Sequence, residues 1–182
     1  MSRILGEQIR DKAVLHWVAD KGDQTLSLEH PSLGEDSLVV DFGGYTGEWA
    51  HKIFTRYGCF IEIYEPAHNF VLEIEKRFAK QLNDKVKVVE CAVGAKNERA
   101  DLAIDGLATS VIKSEDGRNE GSISVVDVTG ILGSRKVDLL KMNIEGSEYE
   151  VFDSLFENSL VANIDSIFVQ FHPVDNDSID KY

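Results

Sequence analysis

Positive charge is scarce in this chain. Its 182 residues carry 19 lysines and arginines against 32 acids, for a formal net charge of −13. No block of basic residues offsets that balance, so the field that draws proteins onto DNA, RNA or anionic lipid is missing. A nucleic-acid partner is not expected. Cysteine is nearly absent: Cys59 and Cys91 sit in or beside apolar stretches and not at metal-ligand spacing. They read as two reduced thiols of a cytoplasmic protein. Neither paired histidines nor a close carboxylate set beyond Glu145 and Glu148 marks a metal site. No apolar run approaches the roughly 18 residues of a membrane span, and the N-terminus lacks a signal-peptide core. The chain therefore reads as soluble, without membrane contact. It also lacks internal repeats and low-complexity linkers, and at this length it reads as one domain.

What is present is alternation. Apolar residues at Leu5, Ile9, Ala13, Val14, Trp17 and Val18 predict an amphipathic helix over 4–20, ended by Lys21 and Gly22. A polar connection to Asp36 follows, with a short strand expected at Thr25–Leu28. Residues 1–36 are thus expected to pack as an N-terminal helix and connection on a core domain over 37–182. In that domain strands are expected at Leu38–Phe42, Cys59–Tyr64, Val86–Glu90, Val137–Met142 and Ile164–Phe171. Helices are expected at Glu48–Tyr57, His68–Lys80 and Ser147–Phe156. Near-continuous apolar strands alternating with helices argue an α/β fold, a mostly parallel sheet covered on both faces. Between Ala92 and Thr129 the rhythm breaks into short strands near Arg99–Ile104 and Ser122–Val126, around a loop at 114–121.

The stretch Ser37–Trp49, SLVVDFGGYTGEW, is the strongest local signal. A buried strand that turns through glycines into a helix brings bare backbone N–H groups up to a nucleotide-like ligand. Three ligand classes compete for it. A phosphate loop needs Gly-Lys-Ser/Thr at its end, and here Glu48 follows Gly47 and repels phosphate. A dinucleotide loop needs glycine at 42, 44 and 47, and position 42 is Phe42. S-adenosylmethionine carries a sulfonium and an amino-acid head but no phosphate, and Asp41-x-Gly43-x-x-x-Gly47 fits it. Glu65 stands at the end of the second strand, where an acid accepts hydrogen bonds from a ribose. A solvent-facing loop glutamate is the plainer alternative.

VVDFGGYTGEW, then IYEP, then VDLLKMNIEGSEYEVF, and finally IFVQFH resembles the FkbM family of S-adenosylmethionine-dependent methyltransferases over roughly Ser37 to His172. Leu139–Glu148, LLKMNIEGSE, is similar to that family's LLKxDxEGxE signature. The resemblance implies a Rossmann-like class I methyltransferase fold acting on oxygen, with a small-molecule or glycan acceptor. It differs at Asn143, where the family usually has aspartate, and at Tyr45, where asparagine is common. A class I methyltransferase also continues past its fifth strand to a helix and a final hairpin, strands 6 and 7. Ending at Tyr182, the chain would leave that strand an exposed edge. A truncated chain, a naturally shortened protein, or an edge covered by a partner such as a second copy are the three explanations.

The resemblance implies roles. Asp41, Gly43, Gly44, Tyr45, Gly47, Glu65 and Ala92 are the candidate cofactor-binding residues, Ala92 on the adenine side. Lys141, Asn143 and Glu145 alternate along the end of a strand and are expected to share one orientation. Carboxyl ends of strands form the ligand crevice of an open α/β sheet. There they are candidates, with His172, to position a hydroxyl and remove its proton. Glu145 could instead cap the following helix, Lys141 could pair with Asp41 or Glu145, and His172 could be a solvated loop residue. An asparagine at 143 can orient a substrate but cannot act as a base. Two other readings stand beside the methyltransferase: a non-catalytic S-adenosylmethionine-binding relative or scaffold module, and, more distantly, a nicotinamide-dependent oxidoreductase.

Overall fold

A computed structural model describes residues 15–22, 25–105, 108–113 and 122–172. The chain divides into two compact units, Met1–Ser32 with Pro173–Tyr182, and Leu33–His172. In the first, residues 15–19 are helical; the start of the expected helix, 4–14, lies outside the described residues. Gly22 sits against the ring of Trp17, where a Cβ would come within 2.2 Å. The strand expected at Thr25–Leu28 is instead a run of turns. The Thr25 hydroxyl donates to the carbonyls of Asp20 and Lys21, and the Ser27 N–H bonds back to Gly22, so local bonds replace any strand partner.

The second unit is built on five parallel strands: β1 (Leu38–Phe42), β2 (Phe60–Tyr64), β3 (Val86–Val89), β8 (Leu139–Met142) and β9 (Ile167–Val169), ordered β3-β2-β1-β8-β9. Side chains alternate across such a sheet. Val40, Phe42, Leu140 and Met142 face a core with helix α3 (Val128–Leu132) and helix α4 (Glu148–Glu157), which supply Val128, Leu132, Val151 and Leu155. Helices α1 (Glu48–Tyr57) and α2 (His68–Arg77) cover the other face, where Ile53, Ile61, Ile63 and Ile74 are buried. Gly58, at φ +63, ends α1, and its N–H bonds to the Phe54 carbonyl. Among the described residues no helix is long and apolar enough to cross a membrane.

The broken rhythm after Ala92 resolves into a second sheet that the sequence only hinted at. Strands β4 (Ala92–Gly94), β5 (Glu98–Asp105), β6 (Ala108–Lys113) and β7 (Ser122–Asp127) order as β4-β7-β5-β6, with β5 antiparallel to both β6 and β7. The loop at 114–121 lies outside the described residues. Ala92, Ala100 and Val125 form a small core of their own under this sheet. Alanines and a three-residue strand give too little periodicity to read, and pairing to β7 more than thirty positions away supplies what local pattern does not.

The turn from β1 into α1 hugs the sheet. A Cβ on Gly43, which sits at φ +84, would lie 1.9 Å from the backbone oxygen of Asn143, and one on Gly44 2.3 Å from Ile63. These glycines serve close approach to the protein's own strands. Gly43→Ala should therefore cost about 2–4 kcal/mol in denaturant unfolding, combining left-handed strain with a backbone clash. Gly34, with nothing within 4 Å of a built Cβ, should accept alanine with little change. Equal midpoints for the two variants would contradict the close packing of the turn.

Candidate functional site

Asp41 and Lys141 stand opposite each other in the β1–β8 pairing, at the carboxyl ends of the two central strands. Asp41 is fully buried and Lys141 7 % exposed. Lys141 Nζ lies 2.8 Å from Asp41 Oδ1, donates to the Gly43 carbonyl at 2.6 Å, and sits 5.7 Å from the centroid of the Trp49 ring. Burial pushes the Asp41 carboxyl above its ordinary range, against the pull of the Lys141 charge. A buried pair of this kind costs more desolvation than an apolar pair would. What it supplies is a fixed Gly43 carbonyl at the start of the turn.

Glu65 holds the other side of that turn. It is 4 % exposed, and its two oxygens accept from the backbone N–H groups of Tyr45 at 2.8 Å and Ala67 at 2.9 Å. Burial raises its carboxyl above the ordinary range despite those two donors, and the nearby Asp41 charge adds to the rise. Tyr45 is left-handed at φ +49, which suits asparagine better than tyrosine. The residue is 42 % exposed, and its ring packs edge-on against Phe70 at 4.4 Å. Arg77 fixes the next carbonyl, that of Thr46, at 2.9 Å.

A second cluster forms where β8 and β9 end. Glu148, completely buried in the first turn of α4, accepts from the N–H groups of Ile144 and Gly146, both at 2.8 Å. Its Oε1 also lies 2.8 Å from His172 Nδ1. Asn143 Nδ2 donates to Gln170 Oε1 at 3.4 Å, and Gln170 Nε2 is 3.4 Å from His172 Nε2. Glu145 Oε2 is 3.6 Å from the same nitrogen. Burial alone would raise Glu148; the hydrogen bonds from His172 and the backbone outweigh it and hold the carboxyl below its usual value. The same bond to Glu148 raises His172.

The expected trio at the end of β8 therefore divides. The strand stops at Met142, so alternation does not carry through to Glu145, which is itself left-handed at φ +54. Lys141 turns to the glycine loop, while Asn143 and Glu145 join His172. The helix-start role open to Glu145 falls to Glu148. Ala92 is 5 % exposed, inside the second sheet's small core. Glu148, noted in the sequence only as an acid close to Glu145, and Gln170 were given no role there. For Glu148 a signal exists, since an acid just after Gly-Ser at a helix start is placed to reach back to free N–H groups. Gln170 carries none.

A Methyltransferase FkbM domain model matches residues 41–182. The chain belongs to the FkbM methyltransferase family. Its five-stranded parallel sheet with helices on both faces has the Rossmann-like architecture expected of that family, whose cofactor is S-adenosylmethionine. No curated protein matches the chain. Distant likenesses exist among solved structures. A geranyl diphosphate methyltransferase in complex with GPP and sinefungin is 14 % identical at a TM-score of 0.40, over 69 % of this chain and 35 % of that one. An S-adenosyl-L-homocysteine complex of a SAM-dependent methyltransferase from Thiobacillus denitrificans is 15 % identical at 0.40, over 72 % and 38 %. A dimethyladenosine transferase from Plasmodium falciparum is 13 % identical at 0.41, over 71 % and 38 %. The chain thus spans little more than a third of the length of each.

The residues of this FkbM methyltransferase chain fit that cofactor. The turn is walled by Asp41 and Glu65, and Glu48 stands in the first turn of α1. Lys141 is committed to Asp41 and Gly43. Acids and carbonyl oxygens suit hydroxyls, an ammonium and a sulfonium, and disfavour phosphate. Among the described residues no group of three metal-ligating side chains occurs.

The His172–Glu148 pair makes stability depend on pH. A histidine raised above 6.5 contributes fully below that value and loses its contribution as pH rises through the folded value. A glutamate held below 4.5 contributes fully above that value and loses it as pH falls through the folded one. The pair therefore stabilises most between 4.5 and 6.5. Thermal melting of the wild type should weaken on the alkaline side of that window, and Glu148→Gln should flatten the slope. Parallel melting curves across pH for the two proteins would show that the pair does not couple to folding.

Proposed function

We propose that the protein transfers a methyl group from S-adenosylmethionine to a hydroxyl oxygen of a small-molecule or glycan acceptor, with His172 as general base. The observation that carries this reading is the 2.8 Å contact between His172 Nδ1 and the buried Glu148, at the carboxyl end of the sheet. A proton on Nδ1, held by that carboxylate, leaves Nε2 with its lone pair, which an acceptor hydroxyl takes in place of the long 3.4 Å contact to the Gln170 amide. When bound, the cofactor supplies an electrophilic methyl group on a sulfonium sulfur. His172 takes the hydroxyl proton at Nε2, and Glu148 stabilises the resulting imidazolium. Glu145, 3.6 Å from Nε2, adds attraction for the same charge. Asp41, Gly43, Gly44, Tyr45 and Gly47 form the cofactor's turn. Glu65 retains lone pairs for ribose hydroxyls beyond the two backbone bonds it already accepts, while Ala92, packed in the second sheet's core, takes no part.

Asn143 cannot serve as a base, and in this reading it does not need to. A cofactor-binding module without turnover would use the pinned histidine for stability alone, and a wild type that binds the cofactor product but transfers no methyl group would favour that reading. Positioning supplies much of the remaining rate.

The test is methyl transfer from isotopically labelled S-adenosylmethionine to a panel of hydroxylated acceptors. His172→Ala should lose about 10²–10⁴ in kcat, the span of general-base catalysis, while calorimetric binding of S-adenosylhomocysteine is unchanged. Glu65→Gln should weaken that binding. Wild-type turnover by His172→Ala, or failure of the wild type to bind the cofactor product, would overturn the proposal.

A further inference from the structure

Glu148 holds more than the His172 ring. Its two oxygens accept from the N–H groups of Ile144 and Gly146, the residues on either side of Glu145, while Oε1 also meets His172 Nδ1. One buried carboxylate therefore fixes both Glu145 and His172, with Glu145 Oε2 3.6 Å from His172 Nε2. Both side chains reach solvent, at 32 % and 24 % exposure. We propose that Glu145 binds the acceptor and that the acceptor is a vicinal diol: one hydroxyl gives its proton to His172 Nε2 while its neighbour donates a hydrogen bond to Glu145. This rests on the reading of His172 as the base.

With Nδ1 protonated against Glu148, Nε2 and Glu145 Oε2 are both hydrogen-bond acceptors. At 3.6 Å they are too far apart to share a proton well. Two converging lone pairs of this kind call for donors from outside. The Gln170 amide answers Nε2 alone, at a long 3.4 Å, and among the described residues nothing else engages the Glu145 carboxylate. Adjacent oxygens of a gauche diol lie close to a hydrogen-bond length apart, so each hydroxyl can meet one acceptor. A lone hydroxyl on Nε2 leaves Glu145 unanswered. An ammonium in the second place would satisfy Glu145 but would stand against the cofactor's sulfonium. A neutral donor is favoured.

The backbone supports a dedicated role for Glu145. It is left-handed at φ +54, a conformation that a residue with a side chain rarely adopts. Its flanking bonds to Glu148 hold that link in place, and Gly146 at φ +111 completes the bend. Glycine at 145 would close the same loop without strain. A glutamate there instead aims a carboxylate at the base. The acceptor oxygen gives its proton to Nε2 and takes the methyl carbon, the carbon–sulfur electron pair stays on sulfur, and the second hydroxyl is unchanged. The product is a monomethyl ether beside a free hydroxyl.

The test uses the full-length protein and labelled methyl transfer to paired acceptors. Methyl mannoside, which carries adjacent cis hydroxyls, is compared with its monodeoxy analogues, and cis-cyclohexanediol with cyclohexanol. The wild type should favour each diol by about 10–100-fold in kcat/KM, the span of one hydrogen bond to a charged group. Glu145→Ala should bring that ratio to about one, whatever it does to the absolute rates. Should the alanine variant not fold, Glu145→Gln, which keeps an oxygen but not its charge, should lower the ratio part of the way. A Glu145 that acted only by attracting the imidazolium would slow both acceptors alike and leave the ratio unchanged. That result, a wild type indifferent to the neighbouring hydroxyl, or no transfer to any diol would overturn the proposal. Wild-type turnover by His172→Ala with the diol preference intact would refute the base assignment and leave the Glu145 contact standing.

Discussion

The site depends on one buried ion pair, Asp41 with Lys141, joining the two central strands where they end. Two charges at that depth must satisfy each other or destabilise the sheet. Lys141 also reaches past Asp41 to the Gly43 carbonyl, so the same ammonium that neutralises the carboxylate anchors the turn above it. The direction in which the chain leaves β1 is therefore a consequence of charge compensation beneath it. Trp49, from the first turn of α1, lies near the ammonium and ties the helix to the same point.

From that point the two halves of the site follow. Gly43 packs against the backbone of Asn143 so closely that no side chain fits between them. The cofactor turn and the loop after β8 are thus held at a shared contact. On one side Glu65 captures the Tyr45 N–H and shapes the turn; on the other Glu148 captures Ile144 and Gly146 and presents itself to His172. Both acids use backbone donors that the adjoining loops leave free. A carboxylate held this way is oriented and of low entropy, which suits one that must orient a second group.

Much of this was legible in the residues. Leu38–Phe42 and Glu48–Tyr57 were readable to the residue because apolar periodicity and glycine punctuation agree there. The glycine turn, Glu65 and the FkbM resemblance followed from residue type and order. Of the second sheet, the strands at Glu98–Asp105 and Ser122–Asp127 were legible as short apolar stretches. Ala92–Gly94, Ala108–Lys113 and the pairing of Ala92–Gly94 with a strand more than thirty positions away were not. Within the site, sequence placed Lys141, Asn143 and Glu145 together on the strength of strand alternation, and the strand ended too soon for that to hold. Gly146 at φ +111 and Glu145 at φ +54 bend the loop around Glu148, and one-dimensional spacing carries no sign of it. Asn143 read in isolation looks like a lost acid. In the structure its side chain lies within 3.4 Å of Gln170 at the edge of the His172 cluster.

A crystal structure of the complex with S-adenosylhomocysteine tests the account most directly. It should show the ligand's sulfur facing the His172 side of the crevice, its ribose hydroxyls on Glu65, and the Asp41–Lys141 pair intact beneath the turn. A sulfur turned away from His172, or Lys141 drawn off Asp41 to hold the ligand, would contradict it.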